Sequence, residues 1–363
     1  MNKIFVDANV LTFKHYTGIL TYLSSLLENI DLEKRSLFTL IANRESPPTF
    51  DGTYDSINFE IKRYLAWLLL DIKVNKHNPD VFWGCRFVVP RLISSKTKLV
   101  VTVHDFIPFT KMYKLELSSN TIFNKLKSYI LTLPLMKSSV KRADVIVTVS
   151  NSVAQEISDL FPFASKKIKV VTSACDKKLF HYVSDNKILE DFLDRHQIRE
   201  RFILAMNMKN PRKNFNLLIN AFKNVKSEGI LCVGGLLGEY QLNFAKQKLG
   251  ERFKYLGYLK TGELPLVYSA ASALVAPSFL EGFDMPPLEA RACGTHVIAS
   301  DIPIHHEVLE DEAEYFGIQD DKKLTRLIEE VLSSEKSIKE SNIINKYDWK
   351  QSADKMLKIL TEL

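Results

Sequence analysis

Strand-like and helix-like segments alternate along almost the whole chain, and this alternation limits the possible folds more than any other feature. Short runs rich in Val, Ile, Leu and Phe predict strands near residues 3–6, 37–42, 80–83, 99–103, 145–149, 168–171, 202–206, 230–233, 253–256, 273–276 and 296–299. Helices are predicted near residues 18–30, 65–76, 120–141, 152–160, 215–226, 239–249, 262–270, 287–292 and 322–333. Strands joined through helices pair in parallel, and a parallel sheet needs helices on both faces. The predicted fold is therefore α/β, with doubly wound parallel sheets.

Chain length and one polar stretch predict two domains. At 363 residues the chain is long for a single core. Residues 176–200 are polar and lack a strand pattern, so we interpret them as a linker between an N-terminal domain, 1–175, and a C-terminal domain, 201–345. Residues 346–363 predict a final amphipathic helix. Two doubly wound domains would face a central cleft, the usual place for a ligand.

Composition narrows the class of protein and its location. The chain is 46% apolar and 25% charged, as in an ordinary soluble globular protein. Its apolar runs fall short of the roughly 18 residues that a membrane span requires. The four cysteines are widely spaced and form no C-x-x-C pair, which indicates reduced thiols, not a disulfide framework or a zinc site. The predicted location is the cytoplasm.

Charge is distributed unevenly between the two halves. Lys and Arg outnumber Asp and Glu by nine in residues 1–180, whereas acidic residues exceed basic ones by three in the remainder. In residues 111–142, basic side chains such as Lys125, Lys127 and Lys137 alternate with apolar ones. Such a segment could rest on the anionic inner face of the cytoplasmic membrane. The alternative, a core-facing helix with a solvated basic back, stays open.

The stretch from Glu281 to Glu289 is the most informative about function. Pro286 and Pro287 predict the first turn of a helix, where proline is best tolerated. Glu281 then lies in the loop before the helix and Glu289 near the end of its first turn. Unpaired N–H groups and the helix dipole favour an anion such as phosphate at this position. In the simpler interpretation, Glu281 caps the helix and Glu289 is a surface residue.

The neighbouring segments place this stretch within a βαβ unit. A strand-like run, 273–277, precedes it, and Gly294 and the strand-like run 296–300 follow it. Ligands of open parallel sheets bind beyond the carboxyl ends of the strands. Carboxylates bind hydroxyls and a helix end binds phosphate. A diphosphate with sugar hydroxyls at both ends would suit the helix N-terminus and both carboxylates, Glu281 and Glu289.

At this point the chain resembles a known family. The segment 277–301 resembles the E-x7-E signature of the family 4 retaining glycosyltransferases, which adopt the GT-B fold of two Rossmann-like domains. The resemblance implies an N-terminal acceptor-binding domain, a C-terminal domain that binds a nucleotide sugar, and a last helix that crosses back to the N-terminal domain. Other matching segments, in order along the chain, are 17–19, 103–108, 149–152, 210–214 and 347–349.

The resemblance implies a role for each matching residue. Arg212 and Lys213, which follow a strand end, would bind the diphosphate, because a guanidinium fork and an ammonium both suit phosphate oxygens. Glu289 would hold the nucleotide ribose, and Glu281 the hydroxyls of the transferred sugar and thereby catalysis. The remaining donor-binding residues of the stretch would be Gly282, Phe283, Asp284 and Met285.

Two residues of the N-terminal half complete the site that the resemblance implies. Gly18 would let the backbone approach the leaving diphosphate closely, because a side chain there would block it. His104 matches the catalytic histidine that lies beside the transferred sugar in the family. A lone histidine at a strand end is also a common structural residue, and this alternative stays open.

The chain departs from the family pattern at three places. Asp284 replaces a frequent glycine, so its carboxylate would either alter the preference for the sugar or cap the helix that follows. Asn207 stands where the family often has a further arginine. Residues 173–175 replace the usual Asn-Gly at the end of the first domain.

The predicted function is transfer of a hexosyl group, with mannosyl as one candidate, from a nucleoside diphosphate sugar to a glycan or lipid-linked acceptor. The resemblance implies retention of configuration, no metal, no cofactor, no nucleic-acid partner and a place in bacterial O-antigen, lipopolysaccharide or capsule synthesis. The adjacent residues His305, His306 and Glu307 are interpreted as metal-free, because neighbours on a helix point in different directions. Two alternatives stay open: a GT-B-like epimerase or phosphorylase, and a non-catalytic subunit that binds nucleotide sugars.

Overall fold

The structure is a computed structural model that describes residues 3–12, 18–42, 55–58, 66–105, 133–336, 338 and 340–363. The described residues form two compact units. Unit 1 contains those up to Ser173 together with Asp348–Leu363, and unit 2 contains Ala174–Tyr347. Within the described ranges, no helix combines the length and hydrophobicity needed to cross a bilayer.

Unit 1 is built on a seven-stranded sheet in the order β3-β2-β1-β4-β5-β6-β7. All of its strand pairs are parallel. The strands are β1 Ile4–Asp7, β2 Phe38–Ala42, β3 Asp55–Asn58, β4 Val81–Gly84, β5 Lys98–Val103, β6 Val145–Thr148 and β7 Ile168–Val170. Strand β3 was not predicted, because Asp-Ser-Ile-Asn lacks the apolar run that marks the other strands.

Helices surround this sheet. They are α1 Gly18–Glu28, α2 Leu32–Arg35, α3 Ala66–His77, α4 Leu133–Arg142, α5 Asn151–Leu160 and α13 Trp349–Thr361. The predicted helix over 120–141 is helical from Leu133 onward, and its earlier part lies outside the described residues. The same holds for most of the basic segment, including Lys125 and Lys127.

The last helix, α13, packs against α1 although all of unit 2 precedes it in the sequence. Trp349 at its start meets the ring of Tyr22 edge-on, with ring centroids 6.0 Å apart. The Tyr22 hydroxyl in turn donates to the backbone oxygen of Val171 at 3.0 Å. Ser352 of α13 donates to the backbone oxygen of Thr172 at 2.9 Å. These contacts connect α13 to α1 and to residues 171–172, which directly follow β7.

Unit 2 is built on a six-stranded parallel sheet in the order β10-β9-β8-β11-β12-β13. Its strands are β8 Phe202–Met206, β9 Ile230–Gly234, β10 Phe253–Gly257, β11 Ala273–Ala276, β12 His296–Ser300 and β13 Glu314–Phe316. Its helices are α6 Asn186–Arg195, α7 Phe215–Lys223, α8 Glu239–Leu249, α9 Leu264–Ala270, α10 Met285–Ala292, α11 Pro303–Leu309 and α12 Asp321–Ser333. The predicted doubly wound parallel sheets are therefore confirmed.

Residues 176–200, predicted as a linker, fold as part of unit 2. Asp185 caps α6 by accepting hydrogen bonds from the backbone of Lys187 at 2.9 Å and Ile188 at 3.2 Å. Phe192 of this helix is fully buried, and α6 packs against α9. This helix was not predicted, because its amphipathic pattern is short and has a single large apolar residue, Phe192.

Candidate active site

The chain reverses its winding direction in unit 2 between the neighbouring strands β8 and β11. Beyond the carboxyl ends of such strands, the loops diverge and leave a crevice where ligands of open α/β sheets bind. The loop 207–214 follows β8 and the loop 277–284 follows β11. A backbone hydrogen bond of 2.8 Å, from Phe279 N to Arg212 O, joins the two loops directly.

Two asparagines and a proline, Asn210, Pro211 and Asn214, shape the loop after β8 around the predicted cations. Asn210 accepts a hydrogen bond from Arg212 N at 3.0 Å and precedes the short 3-10 turn Pro211–Lys213. Asn214 then adopts a left-handed conformation, φ 53° and ψ 41°, which asparagine tolerates better than most residues. Its side chain donates to the backbone oxygen of Ile318 at 3.0 Å. This compact turn fixes the start of both cationic side chains.

The loop after β11 leads into α10, which begins at Met285, one residue before the predicted proline pair. Asp284 occupies the N-cap position with φ 64° and ψ 75°, a left-handed conformation in which glycine carries no steric cost. Its side chain makes no capping hydrogen bond with the helix. The alternative that Asp284 caps α10 through its side chain is therefore wrong.

The two loops bring the predicted cations and carboxylates into one buried ionic cluster. Lys213 Nζ lies 2.7 Å from Asp284 Oδ1 and 2.8 Å from Glu281 Oε1. Arg212 pairs with the other carboxylate oxygen of Glu281. Ser278 donates a hydrogen bond to Glu281 Oε1 at 2.9 Å. The interpretation of Glu281 as a helix cap is wrong, because its carboxylate is held by Arg212, Lys213 and Ser278.

The cluster keeps its central groups charged. Burial lowers the pKa of Lys213, but the nearby Asp284 and Glu281 carboxylates outweigh that effect and raise it above the usual value. Burial would raise the pKa of Asp284, but Lys213 and His305 hold it well below the usual range. Lys213 is therefore an ammonium and Asp284 a carboxylate at neutral pH.

Glu289 lies inside unit 2, with 8% of its surface exposed. Its Oε2 accepts a hydrogen bond from the Tyr268 hydroxyl at 2.7 Å. Burial raises the pKa of Glu289 to about 7, and the hydrogen bond from Tyr268 opposes part of that rise. The interpretation of Glu289 as a surface residue is wrong. Tyr268, which orients this carboxylate, was not predicted from the sequence.

A buried histidine behind the cluster was also missed as a contributor to the site. His305 Nε2 lies 3.2 Å from Asp284 Oδ2, and Nδ1 lies 2.9 Å from the backbone oxygen of Ser300. Its neighbour His306 is exposed and contacts Asp301 at 2.7 Å. The two rings therefore have different partners, as expected for adjacent helical residues. One signal in the sequence could have indicated His305. It lies in the first turn of the helix that follows β12, two residues after Pro303.

The other predicted donor-binding residues of the stretch differ in their accessibility. The Phe283 ring is buried and meets the ring of Tyr347 edge-on, with centroids 5.3 Å apart. Gly282 is buried beside it, whereas Met285 is half-buried at the start of α10. The Phe283 side chain thus stabilises the loop from within.

The predicted residues of unit 1 lie at the ends of its own elements. His104 follows β5, is half-buried, and its Nε2 lies 2.9 Å from the backbone oxygen of Cys85. Burial lowers the pKa of His104 to about 4, with the Cys85 hydrogen bond opposing that shift, so the ring is neutral at physiological pH. Gly18 is the exposed first residue of α1, and a Cβ added there would meet no atom within 4 Å.

The sheet of unit 1 reverses its winding between β1 and β4, and one buried acid lies there. Asp7, fully buried at the end of β1, accepts hydrogen bonds from the backbone of Asn9 at 3.1 Å and from its side chain at 2.5 Å. Arg86 Nη2 lies 3.6 Å from Asp7 Oδ2. Neither Asp7 nor Arg86 was predicted as part of a site.

Comparison with known proteins identifies the family. Residues 38–178 match the model of Glycosyltransferase Family 4, and residues 190–351 match that of the glycosyl transferases group 1. The chain is 30% identical over 295 residues to the O-antigen chain mannosyltransferase RfbU of Salmonella typhimurium, covering 79% of this chain and 74% of that protein. The chain belongs to the family 4 glycosyltransferases.

Solved structures agree with this family 4 glycosyltransferase in fold. HepE of Anabaena, in complex with UDP and glucose, is similar with a TM-score of 0.75 at 17% identity, over 100% of both chains. A glycosyltransferase of Rickettsia africae also gives a TM-score of 0.75 at 17% identity, over 99% of this chain and 97% of that one. The predicted GT-B fold class is confirmed.

One departure of this glycosyltransferase from its family now has a structural explanation. Asn207, where the family often has arginine, adopts a left-handed conformation with φ 56° directly after β8. Its side-chain oxygen accepts a hydrogen bond from Leu236 N at 3.1 Å. Asn207 thus closes the turn against the loop that follows β9, and Arg212 and Lys213 remain the cations of the cluster.

Proposed function

We propose that this glycosyltransferase moves a hexosyl group from a nucleoside diphosphate sugar to a hydroxyl of a glycan or lipid-linked acceptor, with retention of configuration and without a metal. The observation that carries the proposal is the ionic cluster at the winding reversal of unit 2. It brings Arg212 and Lys213 from one loop against Glu281 and Asp284 from the next, at the start of α10.

In this proposal the diphosphate binds to Arg212 and Lys213. Each cation now contacts a carboxylate, so phosphate oxygens would take over or share those contacts. The start of α10 adds backbone N–H groups and the positive end of its dipole. As the bond to the sugar breaks, negative charge grows on the departing diphosphate, and fixed cations stabilise that charge more than they stabilise the bound donor.

The two glutamates of the E-x7-E stretch have separate roles in this proposal. Glu289, oriented by Tyr268, accepts hydrogen bonds from the ribose hydroxyls. Glu281, held by Arg212 and Ser278, accepts hydrogen bonds from the hydroxyls of the transferred sugar. Buried carboxylates with fixed partners are suited to orienting hydroxyls, because their rotamers are set before the ligand binds.

The chemical step needs no protein nucleophile in this proposal. The acceptor attacks the face from which the diphosphate departs, and a phosphate oxygen takes the proton of the acceptor hydroxyl. This route retains the configuration at the anomeric carbon. Gly18 and His104 of unit 1 keep the roles that the family resemblance implies, a close backbone approach to the diphosphate and a contact with the transferred sugar.

The relatives suggest the sugar and the pathway class. RfbU is named an O-antigen chain mannosyltransferase, and we propose a mannosyl donor and an acceptor of bacterial surface polysaccharide synthesis. We also propose that the basic segment 111–142 contacts the anionic inner face of the cytoplasmic membrane. Co-sedimentation with anionic vesicles tests that part: charge reversal of Lys125, Lys127 and Lys137 should abolish it, and unchanged sedimentation would refute it.

A screen of nucleotide sugars tests the donor site. Thermal shift should show stabilisation of the wild type by one nucleoside diphosphate hexose, and Glu289→Ala and Lys213→Ala should each remove it. Lys209→Ala is the matched control, because Lys209 is an exposed cation on the same loop. Equal stabilisation of the wild type and both site variants would refute the assignment.

Product analysis separates the proposed reaction from the two alternatives. With donor and acceptor present, a transferase gives an elongated acceptor with an α or β linkage that matches the donor. An epimerase would give an altered sugar nucleotide and a phosphorylase a sugar phosphate, both without elongation. A binding subunit would give no product. Activity that persists in excess chelator supports the metal-free reaction, and loss that is restored by one divalent cation contradicts it.

A further inference from the structure

The buried ring of His305 faces two hydrogen-bond acceptors at once. With 1% of its surface exposed, it lies between the end of β12 and the loop before α10. On one side, Nδ1 is 2.9 Å from the backbone oxygen of Ser300. On the other, Nε2 is 3.2 Å from Asp284 Oδ2. A carbonyl oxygen and an ionised carboxylate can only accept hydrogen bonds.

The surrounding groups leave the ring as the source of both protons. Asp284 is held as a carboxylate by Lys213, whose Nζ is 2.7 Å from its other oxygen. The Ser300 hydroxyl lies 3.2 Å from Nδ1, but its own hydrogen is directed to the backbone oxygen of Ser278 at 2.5 Å. A neutral imidazole has only one N–H group. In one of the two buried contacts, an unprotonated ring nitrogen would then face the oxygen of Ser300 or Asp284 with no hydrogen between them.

We propose that His305 is a buried imidazolium that supplies the net positive charge of the diphosphate site. In the cluster, Arg212 and Lys213 are balanced by Glu281 and Asp284, and the charge on His305 leaves an excess of one. His305 acts through Asp284 and is therefore a positioning residue. The inference rests on the proposed donor site and adds a reason for its affinity for a dianionic donor.

The imidazolium explains how Asp284 is compatible with an anion site. A carboxylate at the start of a helix would by itself repel a diphosphate and weaken its binding. Held between Lys213 and His305, the same carboxylate instead orients the ammonium. Other charged groups near this ring are Glu281, beyond Lys213, and an exposed pair formed by His306 of α11 and Asp301, which precedes that helix. The Tyr315 hydroxyl lies near two backbone oxygens, that of His305 at 3.3 Å and that of Glu310 at 2.5 Å.

Nitrogen NMR of the full chain tests the charge directly. With ring-labelled histidine, His305→Gln assigns the signals by their loss. At neutral pH, both ring nitrogens of His305 should carry a proton, since each faces an acceptor. A spectrum with one unprotonated nitrogen would overturn the proposal, whether or not the protein binds a nucleotide sugar.

Calorimetry with inorganic pyrophosphate tests the consequence for binding. His305→Gln keeps a donor toward Asp284 but removes the charge, and should weaken pyrophosphate binding about tenfold, the order expected when a unit charge near a buried anion is lost. His306→Gln, one residue away and exposed, should bind as the wild type does. Unchanged affinity in His305→Gln, alongside weakened binding in Lys213→Ala, overturns the inference alone. Unchanged affinity in Lys213→Ala overturns the donor site and the inference together.

A second variant tests the coupling between His305 and Asp284 from the side of the carboxylate. Asp284→Gly removes the carboxylate and suits the backbone, because glycine adopts φ 64° without strain. With Asp284 gone, the charge on His305 is no longer needed to offset it. The double variant His305→Gln, Asp284→Gly should therefore bind pyrophosphate within about twofold of the wild type, since coupled residues are not additive. A double variant that binds pyrophosphate as weakly as His305→Gln alone would overturn the proposal.

Discussion

Two histidines, one in each unit, follow strands of a parallel sheet but differ in their electrostatic surroundings. His104 follows β5 of unit 1 and meets one backbone oxygen, with the ring of Tyr22 edge-on at 5.1 Å. His305 follows β12 of unit 2 and meets a backbone oxygen and a carboxylate. One acceptor suits a neutral ring, and two acceptors require a cation.

The difference shows that the shared architecture does not set the charge of a site. Both sheets are parallel and doubly wound, and both reverse their winding once. Among the described residues of unit 1, the reversal brings the acid Asp7 within 3.6 Å of Arg86. In unit 2 it holds two cations and two carboxylates in direct contact. Function depends on the side chains that the loops supply, not on the fold that carries them.

Removing one cation where each sheet reverses its winding should give the largest difference in activity and anion binding between the two units. Lys213→Ala should lower kcat/KM by roughly 10²- to 10³-fold, because the developing charge on the leaving group loses a fixed partner. Arg86→Ala in unit 1 should leave the affinity for pyrophosphate unchanged. Steady-state kinetics and calorimetry check both variants. Equal loss of pyrophosphate binding in the two would show that the anion site is not confined to the unit 2 cluster.

The same substitution should also weaken the fold of unit 2. Lys213→Ala leaves Glu281 and Asp284 buried without their shared cation, at a cost of about 3 to 5 kcal/mol in the free energy of unfolding. Adding Asp284→Gly should recover part of that stability without recovering activity. Urea unfolding measures the difference. Stability that falls further in the double variant would contradict this account of the cluster.

Glu289 predicts a pH dependence for unit 2. Its folded pKa is raised from 4.5 to about 7, so its contribution to stability is present below about pH 4.5 and is lost as the pH rises through 7. Relative to Glu289→Gln, the wild type should lose about 2 to 3 kcal/mol of unfolding free energy between about pH 5 and pH 8. Urea titrations of both proteins at both pH values measure this loss. If the wild type and Glu289→Gln differ by the same unfolding free energy at both pH values, Glu289 is ionised throughout.

His104 predicts a smaller dependence of opposite sign for unit 1. Its folded pKa is lowered from 6.5 to about 4, so its contribution is present above pH 6.5 and is lost as the pH falls through 4. Because the ring is partly exposed, the wild type should lose only about 1 kcal/mol of unfolding free energy relative to His104→Asn. Acid titration of both proteins by fluorescence checks it. A wild type no more acid-sensitive than the variant would indicate a protonated ring.

Most of the strands and the main residues of the cluster could be predicted from the sequence. The strands β8 and β11 and the helix α8 were predicted at their exact bounds, because apolar runs with clear polar borders determine them. The E-x7-E stretch and the Pro-Arg-Lys turn were predicted to belong together, because both follow strand ends in a parallel sheet.

The missed features depend on contacts between residues far apart in the chain. No local pattern shows that Tyr268 reaches Glu289, or that His305 reaches Asp284. Short or polar elements such as β3 and β13 pair only because a neighbouring strand offers them a free edge. The direct pairing of Lys213 with Asp284 was also missed, because the cations were expected to meet only an anionic ligand.

The return of α13 to unit 1 has a consequence for synthesis on the ribosome. The face of α1 that Trp349 covers is translated more than three hundred residues before its partner. A nascent chain that has completed residues 174–347 can fold unit 2 while that face of unit 1 is still bare, and exposed apolar surface at this stage favours aggregation or chaperone binding. Translation therefore imposes an order in which the second unit of the chain can mature before the first.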